Sequence, residues 1–172
     1  MYNETVDNIR ERLDKGLVDI GMLLEPVDVA KYDYVRLPHK DTWGILLRDD
    51  HPLAEHPFIT IDELVEYPLI LPLRRSIRSE ILNWLHREEK ELKIPLYYTL
   101  LSNAALMVEE GLGCAFCMDG ALAIHGGPHL RFVPIHPKRT THSVLVWRKN
   151  QLFSPAASLF IQEVNLLRAN FM

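Results

Sequence analysis

Apolar positions along the chain change period in a way that sorts it into helices and strands. Val6, Ile9 and Leu13 fall at i, i+3 and i+7, the stripe of an amphipathic helix, and Gly16 stands where such a helix stops. The run Leu17–Leu24 is short, unbroken and followed by Glu25-Pro26, which predicts a buried strand. Tyr34–Leu37 and Trp43–Leu47 read as two further strands, the second closed by the polar loop Arg48–Pro52. Pro52 and Pro57 keep the next stretch irregular, and Thr60 caps a short helix through Leu64. From Tyr67 the periods alternate: strand Pro68–Pro72, helix Ser76–Glu91, strand Pro95–Leu100, a helix capped by Ser102 and ended by Gly111, strand Gly113–Met118. Such alternation with short loops predicts βαβ units and a parallel sheet. Leu130–Pro134 and Ser143–Trp147 complete the strands. Ser154 caps a last helix with Pro155 at its first position and Phe160, Ile161, Val164 and Leu167 on one stripe.

Residues 33–44 and 134–143 read as connectors, rich in Pro, His, Lys, Arg and Thr between apolar runs. They separate an inner block, residues 45–133, from an outer block made of both ends. A block entered once and left once by extended segments predicts two lobes joined by two crossing strands. That architecture places a ligand cleft between the lobes.

Composition narrows the class. With 48% apolar and 24% charged residues among 172, the chain is not disordered. Nineteen basic against 23 acidic residues give a net charge of −4, which argues against a free-standing nucleic-acid binder. Two cysteines build no disulfide framework. No apolar stretch approaches the roughly 18 residues of a membrane span, and the first residues carry no export pattern. The expectation is a soluble cytoplasmic α/β protein.

The chemical motifs have structural explanations. Cys114-Ala115-Phe116-Cys117 matches CxxC, but the pair lies in a predicted strand, where i and i+3 face opposite ways. Gly111-Leu112-Gly113 follows a helix and opens a strand, the reverse of a dinucleotide loop. The histidine pairs His51/His56 and His125/His129 sit among Pro, Gly and Asp and read as exposed loop residues. No Gly-x-Ser-x-Gly elbow nominates a serine nucleophile. No catalytic residue, metal ligand or cofactor is therefore expected. The turns Leu71–Ser76 and Leu100–Asn103 are more informative. Each ends a strand and begins a helix, at the carboxyl edge where open α/β sheets bind ligands. Helix N-termini there offer unpaired N–H groups suited to an anion, and Arg74, Arg75 and Arg78 add charge.

Several stretches together resemble one family. Leu13-Asp14-Lys15-Gly16-Leu17-Val18-Asp19-Ile20-Gly21 is similar to the "L..G.lDlgl" segment of LysR-type transcriptional regulators. His51-Pro52-Leu53-Ala54 resembles their "HPLA" loop, and Ile59–Leu64 their "i.l.dL" helix. Pro68–Arg78 and Val108-Glu109-Glu110-Gly111-Leu112-Gly113 are similar to later segments, in order, so the resemblance covers residues 5–169. It implies a periplasmic-binding-protein-like (type II) effector-binding domain over residues 1–172, its first lobe at 1–40 and 141–172 and its second at 44–135. It also implies that the family's DNA-binding region and the opening strand–helix–strand of the first lobe have no counterpart here. The first lobe and its dimer interface are then incomplete.

The function so implied is sensing of a small organic effector, such as a carboxylate, by a homo-oligomeric regulator domain that does not bind DNA alone. An enzyme or a solute-binding protein on a similar two-lobe fold is the alternative. The expected effector-binding residues are Met22, Leu23 and Leu24 at the first-lobe strand, with Asp41 and Thr42 at the crossover. The second lobe adds Pro72, Leu73, Arg74 and Ser76, then Ser102 and Asn103. Amides at 76–78 and 103–105 would hold an anionic group. Leu24 and Pro72 stand where the family often has polar effector contacts, which favours an effector with an apolar body.

Overall fold

The computed structural model describes residues 5–120 and 127–170. His125 lies outside them. The chain divides into two compact units, Met1–Lys40 with Thr141–Met172, and Asp41–Thr140.

The first unit opens with α1 (Val6–Asp14), capped by the Thr5 side chain. The strand expected over 17–24 is only β1 (Gly21–Leu24), because the α1 C-cap consumes the start of the run. Gly16 takes φ +69° there, and the amides of Gly16 and Leu17 close on the carbonyls of Leu13 and Arg12. Leu17 is left exposed. β1 pairs antiparallel with β8 (Thr140–Arg148), Gly21 opposite Val146 and Leu24 opposite Ser143. The core gathers Leu13, Leu23, Tyr32, Val144 and Val146, with Val6 and Ile9 of α1 against it. α5 (Pro155–Asn170) starts as expected, the Ser154 hydroxyl accepting from the Ala157 amide at 3.2 Å. Its expected inner stripe is corrected: Ala157 is the buried position, while Phe160 and Leu167 are exposed.

The two strands expected at 34–37 and 43–47 are one, β2 (Tyr32–Arg48), which continues from the first unit into the second. Much of the supposed connectors is thus strand: β2 runs through 33–44, and β7 (Leu130–His136) and β8 take up most of 134–143.

In the second unit the sheet is mixed rather than parallel throughout. β4 (Leu69–Pro72) runs parallel to β6 (Cys114–Met118) and to β5 (Tyr97–Tyr98). β2 runs antiparallel to β6 and β7, and the short β3 (Ile59–Thr60) parallel to β7. α2 (Ile61–Leu64) carries a full capping box: the Thr60 hydroxyl accepts from the Glu63 amide, and the Glu63 carboxylate accepts from the Thr60 amide. α3 (Arg75–Leu85) is shorter than expected, since His86 turns into the left-handed region and Glu89–Glu91 forms a separate 3-10 turn. α4 (Leu101–Glu109) ends on Gly111 at φ +77°, with Leu112 N–H bonded to the Met107 carbonyl.

The two sheet faces of this unit are separately covered. Ala104, Ala105 and Val108 of α4 pack on Leu46, Ile70, Ala115 and Cys117. Residues 43, 45 and 47 alternate to the other face, where the Trp43 ring meets Trp84 of α3 edge-on at 5.6 Å. Gly44 lets this sheet close up: a Cβ there would stand 2.3 Å from Phe132 and 2.5 Å from the Val133 carbonyl.

Candidate functional site

The register of the second unit aligns strand ends along one edge. Ile70 lies opposite Ala115 and Pro72 opposite Tyr98, so β4, β5 and β6 finish on the same side. The pairing of antiparallel β2 with β6 begins there, Trp43 opposite Met118, with the Thr42 carbonyl accepting from the Asp119 amide at 2.9 Å. Asp41, Thr42, Pro72–Ser76 and the Ser102–Asn103 turn therefore share one sheet edge, as ligand-binding residues of α/β sheets do.

At the β4–α3 turn the Leu73 amide donates to the Tyr98 carbonyl at 2.7 Å, which ties this turn to β5. Pro72 is buried, leaving the exposed Leu73 as the apolar group available to a ligand. Arg74 is half-buried and Ser76 exposed. Arg78 is committed locally: its guanidinium donates to the Leu73 carbonyl at 2.9 Å, pairs with Glu89 at 3.6 Å and lies 4.9 Å from the Tyr97 ring centre.

The helix start expected at Ser76 and the cap expected at Ser102 are corrected. Arg74 and Leu100 occupy the cap positions, neither with a side-chain cap bond, so both serines sit inside the first turn of their helices. The anion-holding amides shrink accordingly. The Arg78 amide is taken by the Arg74 carbonyl and the Asn103 amide by the Leu100 carbonyl. The first amides of α3, at 75–77, and of α4, at 101–102, are those that point out of a helix end.

The first unit holds the other three expected residues. Met22 is exposed and Leu24 half-buried on β1. Leu23 is 2% exposed and packs in the core, so its side chain offers nothing to a ligand.

His51, expected as an exposed loop residue, is half-buried. Its Nδ1 accepts from the Leu53 amide at 3.2 Å, its Nε2 lies 3.5 Å from Cys114 Sγ, and Tyr67 stands edge-on at 4.6 Å. Burial lowers its pKa below the ordinary value and pushes the Cys114 thiol up to about 11. Both groups are therefore neutral at pH 7, which suits a packing contact and not a thiolate nucleophile. Cys117 is buried among the α4 contacts and its thiol is also pushed up by burial. Both cysteines are free.

No motif nominated the aromatic residues that gather beside Thr42. A pocket of about 400 Å³ opens there between the loop before β3 and the end of β7, with Phe58, Phe132 and His136 in its wall. The signal was absent locally, because β3–β7 pairing joins residues far apart in sequence.

Residues 2–166 match the family described as LysR substrate binding domain. The chain is 28% identical over 169 residues to the uncharacterized HTH-type transcriptional regulator YvbU of Bacillus subtilis, covering 94% of this chain and 54% of that one. It is likewise 28% identical over 176 residues to YbhD of Escherichia coli, a regulator of the same description, with 92% and 54% covered. The chain thus spans about half the length of the curated relatives it matches. Among solved structures, the effector binding domain of QuiR in complex with shikimate superposes with a TM-score of 0.78 at 18% identity, over 93% of this chain and 76% of that one. The regulatory domain of CcmR from Synechocystis, in complex with 2-PG, gives 0.76 at 17% identity over 95% and 79%. The fold is that of LysR effector-binding domains, the periplasmic-binding-protein-like type II fold.

Proposed function

The chain belongs to the LysR substrate-binding domain family, and from that premise we propose that it senses a small organic effector on behalf of a transcriptional regulator. The match over residues 2–166 is the observation that carries this reading. Named relatives are transcriptional regulators, and two structural neighbours are effector-binding or regulatory domains with small molecules bound. Residues 1–40 and 141–172 form one lobe of the effector domain and residues 44–135 the other. The protein acts in the cytoplasm as a homodimer, catalyses no reaction, and binds duplex DNA only with a further domain, since a net charge of −4 offers little to phosphates.

In the second unit the proposed contacts are Thr42, Leu73, Arg74, Ser76, Ser102 and Asn103, with Asp41 and Pro72 shaping the edge. The apolar Leu73 covers the body of the effector, while the first-turn amides of α3 and α4 hold a carboxylate. A few such contacts, each about 1.5–3 kcal/mol, reach micromolar affinity near −8 kcal/mol after the costs of association. The test is a calorimetric screen of small carboxylates, repeated with Ser102→Ala and Leu73→Asp. Binding weakened about tenfold by Leu73→Asp supports the reading. Binding that survives both changes undiminished moves the site elsewhere, and silence across the screen removes the carboxylate.

A further inference from the structure

The β4–α3 turn carries Leu73, Arg74 and Ser76, and α3 begins without a side-chain cap. The usual bond that fixes how a chain enters a helix is therefore missing at this turn. Leu73 precedes the cap residue Arg74, so its carbonyl has no place in the hydrogen-bond ladder of α3. The Arg78 side chain takes that carbonyl instead: from five residues further on, its Nη1 donates to the Leu73 oxygen at 2.9 Å. The Leu73 amide donates in turn to the Tyr98 carbonyl of β5 at 2.7 Å. Both backbone polar groups of Leu73 are thus held, while its side chain stays exposed at the sheet edge.

Arg78 is itself braced. Its Nε lies 3.6 Å from one Glu89 carboxylate oxygen, and its Cζ lies 4.9 Å from the Tyr97 ring centre. The Tyr97 hydroxyl donates to the other Glu89 oxygen, so the carboxylate links the two groups that hold the guanidinium. A planar guanidinium with its donors in a fixed fork meets a carbonyl, a carboxylate and a ring face together, which a lysine ammonium does not. Glu89 also offsets the charge, so what reaches the turn is chiefly geometry. We propose that Arg78 is a positioning residue for the effector: through the Leu73 carbonyl it sets the pose in which the turn presents Leu73 and the first amides of α3. The proposal rests on the effector-sensing reading at the strand-end edge and adds a residue that governs affinity without touching the ligand.

Amide hydrogen exchange, followed by NMR on the whole chain, tests the brace with no ligand present. Arg78→Met keeps an apolar stem and is expected to speed exchange of the Leu73 amide about tenfold, and Glu89→Gln about threefold. The Asp119 amide, bonded to the Thr42 carbonyl on the same edge, is the control and keeps its parent rate. Arg78→Lys preserves the charge but not the fork, and its Leu73 rate should fall within about twofold of that of Arg78→Met. Cyclohexanecarboxylate, an anion with an apolar body, reads the consequence by calorimetry: binding about fivefold weaker than parent in Arg78→Met and in Arg78→Lys. Parent-like Leu73 exchange in Arg78→Met or Glu89→Gln, an Asp119 rate that rises alongside, or full rescue by Arg78→Lys overturns the proposal. So does undiminished affinity in Arg78→Met when the parent binds. If the parent fails to bind the probe up to about 10 mM while exchange behaves as expected, the carboxylate reading of the edge falls and the brace on the turn stands.

Discussion

The two units draw on similar apolar sequence but use it differently. In the second, α4 presses Ala104, Ala105 and Val108 onto Leu46, Ile70 and Ala115, all at most 4% exposed, while α3 buries Ile77, Ile81 and Leu85 and sets Trp84 against Trp43. In the first, α5 buries Ala157 and leaves Leu159, Phe160, Leu166 and Leu167 between 49% and 59% exposed. Both helices show apolar residues at helical spacing. Periodicity reports which face a helix has available to bury, and the neighbouring sheet decides whether that face is covered. In the first unit α5 finds cover for one small side chain, Ala157, and its large apolar residues stay at the surface.

This contrast is sharpest in the cost of a cavity. Ile70 and Leu23 are both essentially buried, one in each core. Ile70→Ala is expected to cost about 4 kcal/mol, because rigid sheet and helix on all sides cannot close the gap, and Leu23→Ala about 2 kcal/mol, because a thinner core relaxes into it. Urea denaturation followed by circular dichroism measures both, and equal costs would show that the first core is as firmly braced as the second. Gly44→Ala tests the opposite fault. Its Cβ meets backbone at the Val133 carbonyl as well as the Phe132 ring, so overpacking should cost about 3 kcal/mol. A midpoint unchanged from the parent would mean that β2 and β7 can part without penalty.

Much of the second unit was legible in its sequence because strands and helices there are short, apolar and punctuated. Gly111 marked the end of α4, and Thr60 as a cap marked the start of α2. The 17-residue β2 was not, since between Asp33 and Asp41 only Val35 is buried and no alternation survives. β5 shrank to two residues, Tyr97 and Tyr98. The strand-end edge could be anticipated because each of its turns is local in sequence. The pocket of Phe58, Phe132 and Lys138 could not, because the β3–β7 and β2–β7 registers that assemble it appear nowhere in a local pattern.

Caps give a smaller and cleaner difference. Thr60→Ala should cost about 1 kcal/mol by breaking the capping box of α2, and Ser154→Ala about the same at α5. The α2 box also depends on pH. Hydrogen bonds from the Thr60 hydroxyl and amide hold the Glu63 carboxyl below its ordinary value of 4.5. A depressed folded-state value means the stabilisation is present above pH 4.5 and is lost as pH falls through the folded value. The stability gap between the parent and Glu63→Gln should therefore be open at pH 7 and close on acidification. A gap that widens in acid would contradict the sign.

The smallest expected effect separates cap from first turn. Serine followed by apolar residues at helical spacing predicts a cap at Ser76 and at Ser102, on the same grounds that predict one at Ser154. At Ser154 the hydroxyl reaches the Ala157 amide, three residues on. At the other two the chain has already turned helical one residue earlier, at Arg75 and Leu101, with the backbones of Arg74 and Leu100 in cap position. A hydroxyl inside the first turn cannot fold back on an amide two or three residues ahead, so it satisfies no orphan donor. Ser76→Ala and Ser102→Ala should each change stability by less than about 0.5 kcal/mol, and alanine's higher helix propensity acts against even that loss. A cost of about 1 kcal/mol at either position, equal to Ser154→Ala in the same urea series, would restore the serine to the cap and lengthen the preceding loop by two residues.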